Sequence, residues 1–409
     1  VAPRVYFFLA LVAVVAGAAS FYAYRKAAWA AGLGPRGRRV LGAVLAAAVV
    51  LTVVSRVGER RVPPGLLVPL GEVGSMVALA ALIAAVPLLV ADLVTSIARA
   101  VAGAARARRP PAAAGATSAP APPAAVEPVS RREFLGRAAT GSVIAIGAGS
   151  SFYGTFFGRH DYVIEEVPFS IPGLSPKLDG YTLVQLSDIH LGLFVGEPEM
   201  RAAEALVQKA RPDLLVLTGD FIDHDPRQRD ALGRLVTRLA PYARDGVVAV
   251  PGNHDYYTDI DVVVGALERA GALVLRNGGR VIGQEGAAFA LLGVDDVWGP
   301  RVDPRSHGPD VRRAIASLPE ARDLPRVLLC HNPQVFPDAA GKVALQLSGH
   351  THGGQVNVVL RPADVVLPFV AGRYAMGGSR LYVNRGFGTA GPPARVGAAP
   401  EVSRIVLTV

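Results

Sequence analysis

Cysteine is almost absent. One thiol, Cys330, stands among 409 residues, so no intramolecular disulfide can form and redox chemistry does not mark the compartment. The scarcity of cysteine also argues against a structural zinc site. Charge and aromatic groups are also sparse, at 18% and 7% of residues, against 51% hydrophobic and a mean hydropathy of +0.35. That balance is high for a soluble globular chain and points to membrane segments. Acidic residues are scarcest at the start. Residues 1–159 hold 5 Asp and Glu against 17 Lys and Arg, a balance of +12, whereas residues 160–409 hold 28 against 25, a balance of −3. The basic excess therefore lies among apolar runs, as in loops flanking membrane spans. It does not describe a basic nucleic-acid-binding domain. No repeat of fixed period is present.

What is present first is a series of apolar runs. Residues 5–24, 40–54 and 73–91 are uncharged, with arginine-rich connectors between them, and each reads as a transmembrane helix. They make up a membrane domain over residues 1–107. Residues 108–129, rich in Pro and Ala, read as an extended linker. Residues 130–158 begin "SRREFL" and continue into a fourth apolar run, 138–157. Arg131-Arg132 there resembles a twin-arginine export signal, with Gly136 at the usual lysine position. Two ordinary positive-inside arginines before a fourth span would look the same. The arginine groups place the first and third connectors in the cytoplasm. Residues 160–409 are then extracytoplasmic and held to a bacterial cell membrane by several spans.

Residues 160–409 read as α/β. The runs "YTLVQLSD", "DLLVLTGD", "GVVAVPGN", "PRVLLCHN" and "VALQLSGH" are strand-like, and "PEMRAAEALVQKA" is helix-like. Each strand-like run ends in a potential metal ligand: Asp188 and His190, Asp220 and Asp223, Asn253 with His254 and Asp255, His331, and His350 with His352. Ligands bind beyond the carboxyl ends of strands in such sheets, so these loops should converge. Five of the eight histidines fall in them. Mixed imidazole, carboxylate and amide ligands suit Mn, Fe, Zn or Co. Two such ions roughly 3.5–4 Å apart would clamp a phosphoryl oxygen and activate a water, with one carboxylate bridging them.

The series "SDIH…GDFID…GNHD…CHNP…GHTHGGQ" resembles the calcineurin-like metallophosphoesterase family over nearly all of residues 181–355. The tail "LYVNRGFGT…APEVSRIVL" is similar to its branch of YkuE-type enzymes and transmembrane proteins with a metallophosphoesterase domain. The resemblance implies a four-layer α/β/β/α sandwich with two divalent ions. One ion would be held by Asp188, His190, Asp220 and His352, the other by Asp220, Asn253, His331 and His350. His254 would lie beyond the metals and protonate the leaving oxygen or hold the phosphoryl group, and Asp255 would orient its ring. Phosphodiester or pyrophosphate hydrolysis follows, on a lipid or envelope component if the site lies beside a bilayer. A UDP-diacylglucosamine pyrophosphatase-like reaction of lipid A synthesis, on the cytoplasmic face, is the alternative. A non-catalytic metal-bound module and a nucleic-acid phosphodiesterase are the other two readings, and the −3 balance weighs against nucleic acid.

Other side chains near these motifs have simpler readings. Asp223 suits a supporting role or a helix cap, and His224, His307 and His160 suit solvated loops. Cys330 suits inert core. Asn384 and Arg385 would approach the site or serve the scaffold. Gly353 and Gly354 would supply positive φ behind the ligands.

Overall fold

The computed structural model of the chain describes residues 2–59, 61–107 and 130–409. The Pro/Ala-rich linker 108–129 lies outside the described residues. Two compact units are present. The first contains most of α1 (Ala2–Ala30), α2 (Pro35–Gly58), α3 (Pro64–Ala107) and α4 (Arg131–Phe156). The second is the α/β unit from Tyr153 to Val409, together with two short segments near the start of the chain.

Two stretches among the described residues are long and apolar enough to cross a membrane, α2 and Pro64–Ala105 of α3. The 40–54 run lies within α2. The 73–91 run lies within α3, which is far longer than expected. At 44 residues and 1.5 Å per residue it is about 66 Å long, roughly twice a hydrocarbon core. Pro69 and Pro87 lie inside it, which membrane helices tolerate. The helices meet at small residues. A Cβ on Gly74 would sit 2.9 Å from the Ala48 carbonyl oxygen, and one on Gly147 would sit 2.9 Å from that of Ala80. Such close backbone approach replaces the missing hydrophobic drive between helices in lipid. Ser151 Oγ donates to the Met76 carbonyl at 2.7 Å, and Lys26 pairs with Asp92 at 2.6 Å.

The α/β unit holds twelve strands among the described residues: β1 (Val163–Ser170), β2 (Tyr181–Leu186), β3 (Leu214–Thr218), β4 (Val247–Val250), β5 (Leu273–Val274), β6 (Gly278–Gln284), β7 (Ala287–Gly293), β8 (Arg326–Leu329), β9 (Leu345–Ser348), β10 (Gly372–Met376), β11 (Ser379–Val383) and β12 (Glu401–Thr408). One sheet runs β1-β12-β2-β3-β4-β5 and the other β10-β11-β9-β8-β7-β6. β2, β3 and β4 are parallel neighbours, as are β7, β8 and β9. All of their carboxyl ends therefore carry loops to one edge of their sheet.

Alternation along the strands builds three apolar layers. Leu183, Leu214, Val216 and Val248 face Phe289, Leu291, Val327 and Leu345 between the sheets. Val184, Leu186, Leu215 and Leu217 face α5 (Glu197–Ala210), α6 (Arg229–Leu239) and α8 (Ile260–Arg269). Leu292, Val294 and Leu328 face the short helices Val311–Ala316 and Phe336–Ala339. The layer order is thus helix, sheet, sheet, helix, and strands covered on both faces explain the unbroken apolar runs. A short helix, α7 (Asn253–Thr258), starts directly after β4. Between the sheets Gln185 Nε2 donates to Thr218 Oγ1 at 2.8 Å and across to the Ser348 carbonyl at 3.0 Å, which ties the two sheet edges together below their loops.

Candidate metal centre

The strand-end loops hold their polar side chains in an unusual backbone conformation. Eight non-glycine described residues have positive φ, and Asp188, His190, Asp220, His350 and His352 are five of them, at 51–75°. A side chain there costs roughly 1–2 kcal/mol relative to the right-handed region. Hydrogen bonds between loops hold it in place. Asp188 N donates to the Gly219 carbonyl at 3.0 Å, His190 N to that of Asp220 at 3.0 Å, and Gly349 N to that of His331 at 3.0 Å. The glycines next to the ligands leave no space for a substituent. A Cβ on Gly349 would lie 2.2 Å from Asp188 Oδ2, and one on Gly252 would lie 2.3 Å from Asp220 Oδ1.

Two clusters result, and Asp220 belongs to both. In the first, His190 Nε2 and His352 Nε2 face each other at 3.0 Å, with Asp188 Oδ1 3.4 Å from His352 Nε2 and Asp220 Oδ2 3.6 Å from His190 Nε2. In the second, His331 Nε2 lies 3.3 Å from Asp220 Oδ2, 3.2 Å from Asn253 Oδ1 and 3.2 Å from His350 Nδ1. Asp188–His190–His352, His190–Asp220–His254 and Asp220–His331–His350 could each hold a metal ion. Imidazoles meeting nitrogen to nitrogen beside carboxylates have more lone pairs than protons to share, and a cation resolves that excess.

The electrostatics divide the donor set: burial raises Asp188, and although burial opposes a charge on His331, Asp220 and Asp188 raise it well above its ordinary value, whereas His350 and His352 are lowered. Burial and the neighbouring His331 push His350 down to about 3. Burial, His190 and Arg395 push His352 well below its ordinary value. Both rings therefore stay neutral and keep a lone pair for a metal. Burial would raise Asp220, but His331, His254 and His190 hold it well below the usual carboxylate range. Burial opposes a charge on His254, yet Asp220 and Asp223 raise it to about 9.

Residues 181–354 match the calcineurin-like phosphoesterase family. The uncharacterized metallophosphoesterase YkuE of Bacillus subtilis is 32% identical over 297 residues, covering 68% of this chain and 98% of the relative. This chain belongs to the calcineurin-like phosphoesterase family. A Danio rerio transmembrane protein with metallophosphoesterase domain is 32% identical over 276 residues, covering 64% of this chain but only 61% of that relative. A protein named phosphodiesterase YaeI in Escherichia coli is 31% identical over 291 residues, covering 68% and 99%.

Within this metallophosphoesterase, the expected side chains fall into place unevenly. Asp188, His190, Asp220, Asn253, His331, His350 and His352 converge as described. Asp255 does not orient His254. It is fully buried, and its carboxylate accepts from the backbone N–H of Asp220 at 3.0 Å, Phe221 at 2.9 Å and Gly252 at 2.8 Å. It therefore fixes the turn that carries Asp220. Burial and Asp220 raise it to about 7, against those N–H groups. Asp223 takes the orienting place: His254 Nδ1 donates to its carbonyl at 2.7 Å and lies 3.4 Å from its Oδ1. The helix cap in that loop is Asp225, which accepts from Arg227 N at 3.1 Å. His224 lies beside Asp223 Oδ2 at 3.2 Å.

Asn384 and Arg385 serve the scaffold. Asn384 donates to Ser403 Oγ at 2.6 Å, and Arg385 pairs with Glu401 at 2.7 Å and Glu165 at 2.9 Å. The Arg385 stem lies directly behind Gly353. Gly353 and Gly354 have φ of 60° and 82°. Cys330 is buried, with Sγ donating to the Asn332 carbonyl at 3.2 Å. His307 and His160 are exposed.

Two site neighbours escaped the sequence reading. Arg395 is fully buried and forks into the carbonyls of Gly388, Arg385 and Ala398 at 2.6–3.1 Å, and it reaches His352 Nδ1 at 3.1 Å. A lone arginine in "PPARVG" gives no signal of that. Asp296, just after β7, is buried. Its Oδ1 accepts from Trp298 N at 2.8 Å, and its Oδ2 has no hydrogen-bond partner among the described residues. Burial raises it to about 6, against the pull of His331. The ending "LLGVDD" repeats the pattern of the other ligand-bearing strands and could have marked it.

Proposed function

We propose that this calcineurin-like phosphoesterase is a membrane-tethered hydrolase of phosphodiester or pyrophosphate bonds that works with two divalent metal ions. One ion is assigned to Asp188, His190, Asp220 and His352, and the other to Asp220, Asn253, His331 and His350. The observation that carries this reading is the shared carboxylate: Asp220 Oδ2 lies 3.6 Å from His190 Nε2 and 3.3 Å from His331 Nε2. When bound, the ions supply Lewis-acid polarisation of the phosphoryl group and acidify water. The chain's own side chains do the rest. Asp255 fixes the backbone under Asp220. His254 carries a proton at neutral pH, with Asp223 holding its Nδ1, and gives that proton to the leaving oxygen.

The Escherichia coli relative is named a phosphodiesterase, which supports a diester over a monoester. Helices α1–α4 supply four spans in this reading, and the arginine distribution supports a multi-pass bacterial membrane protein with its catalytic unit outside the cytoplasm. Arg131-Arg132 would then face inward, as twin-arginine export needs. A catalytic unit held beside the bilayer favours a lipid or envelope phosphoester.

The test uses the full chain in detergent, loaded with Mn²⁺ and assayed on bis(p-nitrophenyl) phosphate. Turnover should appear with two metals per chain by elemental analysis. Asp220→Asn should lose both turnover and metal. Full activity in that variant, or one metal per active chain, would overturn the assignment.

A further inference from the structure

Directly after the "GHTHGGQ" turn the chain leaves the α/β body and presents bare aliphatic side chains. Val359 is 85% exposed, Leu360 78%, Val365 87% and Val366 76%. Exposed apolar clusters of this kind mark interaction surfaces. The lobe is firmly held at its base. Thr351 Oγ1 donates to the Val370 carbonyl at 2.5 Å, Asn357 N donates to that of Val396 at 2.7 Å, and Asn357 Nδ2 donates to that of Gly353 at 2.9 Å. A Cβ on Gly354 would come within 3.0 Å of the Arg361 stem. Phe369 packs between Phe336 and Tyr374 at 5.7 and 5.1 Å. The lobe and the His350/His352 turn are thus one piece of structure.

We propose that residues 359–366 form a membrane-docking lobe that inserts its aliphatic tip into the lipid interface and holds the metal centre at the bilayer surface. Three observations select lipid as the occupant. The chain itself carries helices fit to cross a bilayer, so a lipid surface accompanies the catalytic unit. Charge on the lobe is minimal: Arg361 and Asp364 are the only charged residues from 356 to 372, and they pair with each other at 2.8 Å. The tip side chains are aliphatic and, among the described residues, largely uncovered, as interfacial insertion requires. The proposal rests on the membrane-tethered reading and adds the element that presents the site to lipid. A substrate headgroup at the interface would then meet the centre without leaving the bilayer.

The test places one environment-sensitive fluorophore on the full chain in nanodiscs of phosphatidylcholine and phosphatidylglycerol holding a single copy each. Cys330 is buried, so an introduced cysteine takes the label. Val365→Cys and Leu360→Cys probe the lobe. Val44→Cys, on an exposed position of α2, reports the tether. Glu285→Cys, in the turn between β6 and β7 away from the ligand-bearing strand ends, is the aqueous control. The expected result is a blue shift and loss of emission with spin-labelled lipid at 360 and 365, as at 44, with neither at 285. Aqueous, unquenched emission at 360 and 365 overturns the proposal. If 44 is quenched in those discs the tether stands and docking alone falls; if it is not, the tether falls too. A blue shift that spin-labelled lipid does not quench means that protein covers the lobe, and it also overturns the proposal. No arm depends on hydrolysis, so failure here is separate from failure of the phosphoesterase reading.

Discussion

Replacing Arg395 with methionine should destabilise the α/β unit far more than its distance from any reacting atom suggests. The guanidinium donates to the Gly388 carbonyl through Nε at 2.8 Å and Nη2 at 2.6 Å, to Arg385 O at 2.7 Å and to Ala398 O at 3.1 Å. Among the described residues no other donor reaches these three carbonyls. Methionine keeps the bulk and strands all three, at about 1–3 kcal/mol each. Removing a buried cation returns part of that cost, so a net loss of about 3–5 kcal/mol is expected. For a unit of this size that corresponds to a fall of roughly 6–20 °C in melting temperature. The two tryptophans divide between the units, Trp29 in α1 and Trp298 after β7. Trp298 fluorescence in a Trp29→Phe background therefore follows the α/β unit during a thermal melt. Arg395→Lys should fall between the two, because one ammonium cannot satisfy a fork. A methionine variant melting within a degree or two of the parent would show that those carbonyls need no partner, and the reasoning would fail.

Two further outcomes follow from the site. Gly252→Ala forces a methyl to within 2.5 Å of the Asp220 backbone nitrogen, which cannot swing aside, so metal affinity measured by titration calorimetry should fall about 10–100-fold; unchanged affinity would mean the turn relaxes freely. His254→Ala should keep its metal content and lose about 10²–10⁴ in kcat, and loss of metal instead would make His254 a ligand.

Much of the α/β unit was readable from residue order, for a physical reason. Parallel strands covered on both faces must be apolar throughout, so "LLVLT" and "VVAV" announce themselves, and the polar residue that ends each one is where the chain meets the site. Asp188, Asp220, His331 and His350 were therefore visible as a set. Asp255 was misread because adjacency suggested contact: its neighbour His254 points outward from α7, while the Asp255 carboxylate turns inward to three backbone N–H groups. Arg395 was invisible because its partners are main-chain carbonyls and one ring nitrogen of His352, which leave no pattern in composition, whereas Asp296 was overlooked although it ends "LLGVDD" as the other ligands end their strands. Among the helices, the 73–91 run understated α3, because Glu72 and Asp92 end the uncharged stretch while the helix passes through both.

The placement of β12 has a consequence for biosynthesis. β1 and β2 are consecutive in the chain, yet β12 lies between them, pairing with one in parallel and with the other antiparallel. The first sheet therefore stays split while the 222 residues that follow Leu186, up to Thr408, are made, on the order of tens of seconds at about 5–20 residues per second. During that interval β1 and β2 offer open hydrogen-bonding edges, and the Asp188 loop has its contact with Gly219 before those from His350 and Gly388. The first sheet of the phosphoesterase therefore closes last, when β12 enters between β1 and β2.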